Sequence, residues 1–216
     1  MIDNYDNLPP YMFFIHAQRF QWHNDDPDYD GVPLLRSLQL AYLREQGYVN
    51  MRCVWAVGCP SEIYPFVDEG GGTEEKEDVT ARMVFRTAFQ EILPEKEVPQ
   101  VVSASCCAQF ALTREMVCSR PREDYIRMRQ WLLDTPLTDS LAGRVFEYSW
   151  HIMFGFEGVN CPSAGECYCK VYDRCDMQCE EDSCEERYQL PPFSTLPEGW
   201  PYIGWHGETR NFSGPP

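Results

Sequence analysis

Positive charge is scarce in this chain: 18 Lys and Arg stand against 34 Asp and Glu, a formal net charge of −16 over 216 residues. Nucleic-acid binders release counterions through stripes of Lys and Arg, so this composition excludes nucleic acid as a partner. The cations that exist cluster between Arg82 and Arg129, which leaves room for a local basic pocket and an anionic ligand. Long apolar runs are missing too. A membrane helix needs roughly 18–20 consecutive apolar residues, and the run YMFFI at Tyr11–Ile15 falls far short. Asp3 and Asp6 sit where a signal peptide carries its basic and apolar regions. Neither G-x-S-x-G, G-x-G-x-x-G nor a Walker-type loop occurs, which removes the common hydrolase and nucleotide-loop readings.

Apolar material is plentiful. Hydrophobic residues make up 44% and aromatics 14%, enough for one sizeable core despite 17 prolines. Cysteine is abundant as well, with 11 in all and six between Cys161 and Cys184 in the spacing C-x5-C-x-C-x5-C-x3-C-x4-C. Structural zinc sites present C-x2-4-C pairs, so this spacing favours a small disulfide-stapled knot over zinc. An odd total leaves one thiol unbridged or paired outside the chain. Disulfides imply a secreted or ER/Golgi lumenal protein with its export signal outside this stretch, the alternative being a cytoplasmic one. Vicinal Cys106 and Cys107 bridge each other only with strain, so each is expected to pair elsewhere or to pack as a small apolar residue.

Residues 11–17 read as a buried strand, and Leu34, Leu35, Leu38, Ala41 and Tyr42 recur at helical spacing over 32–46, stopped by Gly47. Residues 49–57 read as a strand, 68–78 as an exposed acidic glycine loop, and 79–92 as a helix ended by Pro94. Short strands are expected at 98–103 and 108–112, and helices at 122–134 and 141–154. The class is α/β or α+β, a mixed sheet flanked by helices. The division is a core over 1–160, a cysteine-rich segment over 161–188 and an irregular Pro/Gly/Trp-rich tail over 189–216 that either wraps the core or is loose.

Three clusters carry candidate chemistry. Glu147 and His151 are four apart on the helix RVFEYSWHIMFG, with Arg144 bordering the same face and Trp150 beside it. Such a group suits a base oriented by a neighbour or two ligands of a metal, or else a helix-stabilising pair at the edge of an aromatic core. His16 leaves the first strand toward Arg19, His23, Asp25, Asp26, Asp28 and Asp30. Imidazole with His16 and carboxylates from Asp25, Asp26 and Asp28 suits Mn2+ or Mg2+, although Asp is also an ordinary turn and cap residue. Finally, Gln109, Arg114 and Arg120 lie in CCAQFALTREMVCSRPREDY, where they either bind a phosphate or carboxylate or form a solvated capping cluster.

The runs NYDNLPPYMFFIHAQRFQWH, GYVNMRCVWAVGCPSEI, CCAQFALTREMVCSRPREDY, WLLDTPLTDSLAGRVFEYSWHIMFG and CPSAGECYC together resemble the fungal family filed as domain of unknown function 3431, which carries no assigned activity. The second half is also similar to the acceptor-side half of glycosyltransferase-A-type enzymes. That likeness implies a glycosyltransferase-A-like fold, with Glu147 near the catalytic or acceptor-binding carboxylate, His151 near a C-terminal metal ligand, and His16 with Asp25 and Asp26 near a D-x-D metal position. A plain D-x-D at the end of the first strand and an upstream nucleotide-binding βαβ region are lacking. The expectation is a glycosyltransferase-like transferase domain acting on a small molecule or glycan. Its rivals are a non-enzymatic disulfide-stabilised binding protein and a tailoring enzyme of fungal secondary metabolism.

Overall fold

The computed structural model describes residues 1–68, 80–185 and 195–213. The expected acidic loop after Asp68 and the first residue of the 79–92 helix lie outside them. A 3-10 helix over Ile2–Asn7 leads into strand β1 (Tyr11–Phe14), followed by helices α1 (Gly31–Ser37) and α2 (Leu40–Gln46) and strand β2 (Tyr48–Asn50). Helix α3 (Ala81–Ile92), strands β3 (Ser103–Ala104) and β4 (Phe110–Thr113), and helices α4 (Arg114–Cys118) and α5 (Arg122–Asp134) come next. Helices α6 (Asp139–Glu147) and α7 (Trp150–Met153), strand β5 (Val159–Asn160) and helix α8 (Ala164–Tyr172) complete the order.

Strand β4 is the centre. It pairs antiparallel with β1 on one side and β2 on the other, while β3 and β5 form a separate parallel pair. All four residues of β4 are buried, as expected of an apolar run covered on both faces. Alternation then sorts its side chains. Phe110 and Leu112 join a core with Tyr48, Phe85, Phe89 and Tyr125, while Ala111 joins a second core with Leu43, Val49, Tyr168 and Tyr172. The sheet is thus covered by α3, α5, α6 and α7 on one face and by α1, α2 and α8 on the other. This is a mixed α/β protein with small sheets flanked by helices.

Several elements are shorter than periodicity predicts, for one recurring reason: acceptors outside the regular ladder or helix, side-chain or backbone, capture the amides that would extend them. The Gln109 carboxamide accepts from the His16 amide at 3.1 Å, drawing the chain off the sheet after Phe14. Beyond β2, Asn50 accepts from the Arg52 amide and Asp25 accepts from the amides of Cys53 and Val54. The expected 49–57 strand therefore stops at Asn50. The single helix expected over 32–46 is two, because Leu38 is extended and the Gln39 amide donates to Val171 of α8 instead of to its own helix. Helix α5 runs over Arg122–Asp134, as the spacing predicts.

Disulfides tie the carboxy-terminal part to the rest. Cys53–Cys167 and Cys59–Cys161 span 114 and 102 residues, and Cys169–Cys175 and Cys179–Cys184 close short local loops. The expected knot is therefore disulfide-bonded. It is not a separate appendage, since Cys167, Tyr168, Val171 and Tyr172 lie in the second core. Cys118 is the unbridged thiol and is exposed. Part of the tail wraps back: Trp200 donates to the Asp28 carbonyl, Arg210 pairs with the Asp28 carboxylate, and Phe212 meets Phe20 edge-on. Among the described residues, no helix is long and apolar enough to cross a membrane.

Candidate active site

The chain turns sharply between β3 and β4, where Cys107 and Ala108 adopt φ of 90° and 48°. Positive φ is uncommon outside glycine and is held only where surrounding structure enforces it. Here Cys106 and Cys107 are disulfide-bonded to each other. This corrects the expectation that neighbouring cysteines would pair elsewhere: ring closure and an unusual backbone occur together. Both cysteines are buried and form one wall of a cavity of about 430 Å3.

The backbone of Cys107 positions two side chains at once. Its amide donates to the Glu147 carboxylate, and its carbonyl lies 3.1 Å from His16 Nε2. A carbonyl can only accept, so Nε2 carries the hydrogen and a neutral His16 keeps Nδ1 as an acceptor. The His16 ring stacks on His23 at 4.0 Å, and His23 stacks on Trp22 at 4.1 Å. Burial pushes the His23 imidazole down to about 4, with the neighbouring His16 and Arg52 acting in the same direction. His23 is therefore neutral near pH 7, and among the described residues its buried Nδ1 has no hydrogen-bond partner.

Helix α6 supplies the wall beside the disulfide. Thr138 caps it by accepting from the Leu141 amide, and its last turn carries both Arg144 and Glu147 to the cavity that His16, Trp22 and the disulfide also line. A carboxylate, a guanidinium and an imidazole from two distant stretches of chain thus converge on one aromatic-walled cleft.

His151 is not among them. Tyr148 and Ser149 break the helix between α6 and α7, with the Ser149 hydroxyl donating to the Val145 carbonyl at 2.7 Å. The four-residue spacing consequently does not stack Glu147 on His151. The His151 imidazole is fully buried, with Nε2 2.9 Å from the Gly158 carbonyl. Burial pushes its pKa down to about 4, against the opposing pull of that hydrogen bond. Trp150 packs between Phe110 and Phe146 at centroid distances of 5.2 Å, as core.

The remaining candidates serve the scaffold. Gln109 is buried and bonds the His16 amide, the His23 carbonyl and Asn24, so it holds the His16–His23 loop in place. Arg114 reaches the Leu8 carbonyl and Glu115. Arg120 binds Glu95, Asp124 and the Met153 carbonyl.

The acidic loop is equally engaged. Asp25 is buried, takes two backbone amides and pairs with buried Arg52 at 3.6 Å. Asp26 accepts from the Asp28 amide, and Asp28 pairs with Arg210. Asp30 caps α1 and grips Arg19 through both oxygens; burial pushes its carboxyl up, but these hydrogen bonds outweigh it and leave the pKa below the usual value. Among the described residues, His16, Asp25, Asp26 and Asp28 do not bring three ligand atoms within 4.8 Å of one another. As placed, they do not fit Mn2+ or Mg2+. The group that does cluster is Cys106, Cys107 and Glu147, and its two sulfurs are bonded to each other instead of being thiolates.

Trp22 and the cysteine pair were not legible as site residues. The proximity of Trp22 to two histidines was the available signal, whereas nothing in residue type marks a positive-φ turn at Cys107. A family model described as Protein of unknown function (DUF3431) matches residues 1–170, a span that includes the whole cleft. The chain belongs to this family. No curated protein and no solved structure matches it.

Proposed function

We propose that this family member is a transferase-like domain whose cleft binds a hydroxylated small molecule or glycan and activates one hydroxyl for transfer. The carrying observation is the convergence of Glu147, Arg144 and His16 on one cavity walled by Trp22 and the Cys106–Cys107 disulfide. A carboxylate within reach of a bound hydroxyl is a general base, and Trp22 contributes aromatic surface to the cavity lining. In the transfer step Glu147 takes the acceptor proton as the oxygen forms its bond to the transferred group. The leaving group departs with its electron pair, and Arg144 stabilises the negative charge that develops on it. His16 orients the acceptor through its Nδ1 lone pair. Five disulfides support residence in an oxidising compartment.

The test is a panel of nucleotide sugars with hydroxylated acceptors, read by mass spectrometry of products. Expected is a product with the native protein and loss of roughly 100-fold or more in rate for Glu147→Gln, the scale of a general base. Acceptor binding should persist in that variant and weaken in Trp22→Ala. Binding that depends on Trp22 without turnover for any donor would replace this reading with the non-enzymatic binding protein. Binding indifferent to both substitutions would remove the cleft from either.

A further inference from the structure

A second cavity of about 230 Å3 adjoins the cleft, and His16, just after β1, lines both. Its walls are Ile15, Val32, Leu34, Leu35 and Met51. Three of the polar groups beside them are already committed: Arg19 is held by both oxygens of Asp30, Asn24 donates to the carbonyls of Arg19 and Tyr29, and Gln109 is bonded at both ends of its carboxamide; exposed Gln18 and His16 stand at the rim. With five apolar side chains lining it and its inner polar groups bonded to protein, such a cavity holds water poorly and favours an apolar occupant. Two large apolar side chains stand at its mouth in contact with solvent, Ile15 at 49% and Leu35 at 37% exposure, which an occupant would cover.

We infer that this cavity takes the apolar chain of an amphipathic acceptor whose hydroxylated head lies in the cleft beside Glu147. The assignment rests on the transferase reading for the head group but not for the chain. A polar site and an apolar site that share one residue suit a ligand with both characters, such as an alkyl or acyl glycoside, better than a free sugar.

Calorimetry with methyl, butyl, hexyl and octyl β-D-glucopyranosides below micellar concentration, and with the matching 1-alkanols, tests it. Affinity should rise with chain length in both series, by up to about fourfold for each methylene buried, with an increasingly negative heat-capacity change. Ala17→Trp, at an exposed position on the cavity lining, should flatten both series while leaving methyl glucoside binding unchanged, with circular dichroism confirming the fold. Affinity independent of chain length, or a chain-length dependence that survives Ala17→Trp, overturns the inference. Failure of transfer to every acceptor removes the transferase reading, yet leaves the alkanol series and its response to Ala17→Trp intact, so the two failures are separable.

Discussion

The Glu147 carboxylate at the end of α6 accepts the backbone amide of Cys107, forty positions earlier in the sequence. One hydrogen bond therefore joins the proposed base to the strained turn that forms the cleft wall. Glu147→Ala should leave that amide without a partner and cost about 1–3 kcal/mol in urea unfolding. Glu147→Gln, which keeps an acceptor oxygen, should lose the proposed activity at a smaller cost in stability. Equal stability losses in the two variants would show that this contact contributes nothing.

The turn itself is the next test. In a Cys106→Ser, Cys107→Ser variant, nothing covalent holds Cys107 and Ala108 at positive φ, a conformation costing roughly 1–3 kcal/mol per residue. The turn should relax and release His16 from the Cys107 carbonyl. Nitrogen-15 NMR of the imidazoles reads this directly. Expected is a His16 tautomer that shifts toward an even mixture, with His151 unchanged on its Gly158 carbonyl.

Asp25 should prove structural. It compensates Arg52, and both side chains are almost wholly buried, so Asp25→Ala leaves an unpaired buried cation and should cost about 3–5 kcal/mol. Asp26→Ala removes the part-buried contact to the Asp28 amide and should cost less, about 1 kcal/mol. A melting temperature raised by Mn2+ or Mg2+, and no longer raised in an Asp26→Ala, Asp28→Ala variant, would instead restore a cation site to this loop.

Acid sensitivity follows from His151 and His23. Both have pKa values lowered from 6.5 to about 4, so between those values the unfolded chain binds protons that the folded one does not. Stability is then full above pH 6.5 and falls as pH drops toward 4, by about 3 kcal/mol for His151 alone. Asp30 and Asp124 are lowered carboxylates with a usual value of 3.8, so their loss comes at more acid pH. Urea unfolding of His151→Gln across pH 4–7 should show a flatter profile than the native protein.

Mass spectrometry of the unreduced protein should find five bridges and one alkylatable thiol, Cys118. Opening Cys53–Cys167 by Cys53→Ala should cost about 4–5 kcal/mol, against about 2–3 kcal/mol for the short Cys169–Cys175 loop, because stabilisation grows with the length of chain closed. Stoichiometric zinc in place of the bridges would refute the arrangement.

Where local pattern and packing agree, the sequence was readable: α5 keeps its apolar positions in register from Arg122 to Asp134, and β4 is apolar because it is covered twice. Where a polar side chain from elsewhere captures the backbone, it was not. Asp25 ends the path of β2, Gln109 ends β1, and neither effect is visible in a window of neighbours. The site shows the same limit. Arg144 and Glu147 reach one cavity because i and i+3 share a helical face, but the spacing of Glu147 to His151 misleads because Ser149 bonds back to Val145 and the helix breaks. The unity of Cys106 and Cys107 depends on a backbone conformation that residue types do not encode.

The two long bridges have a consequence for biosynthesis. Cys53 and Cys59 leave the ribosome more than 100 residues before Cys167 and Cys161, their respective partners. Cys106, Cys107 and Cys118 all emerge in the interval, so pairing in order of appearance joins the wrong sulfurs. The vicinal pair can close by itself, whereas the bridge to Cys161 and the one that fastens α8 through Cys167 form only after synthesis has passed those residues, through thiol–disulfide exchange. Native yield of this chain should therefore depend on a disulfide isomerase more than on the rate of oxidation.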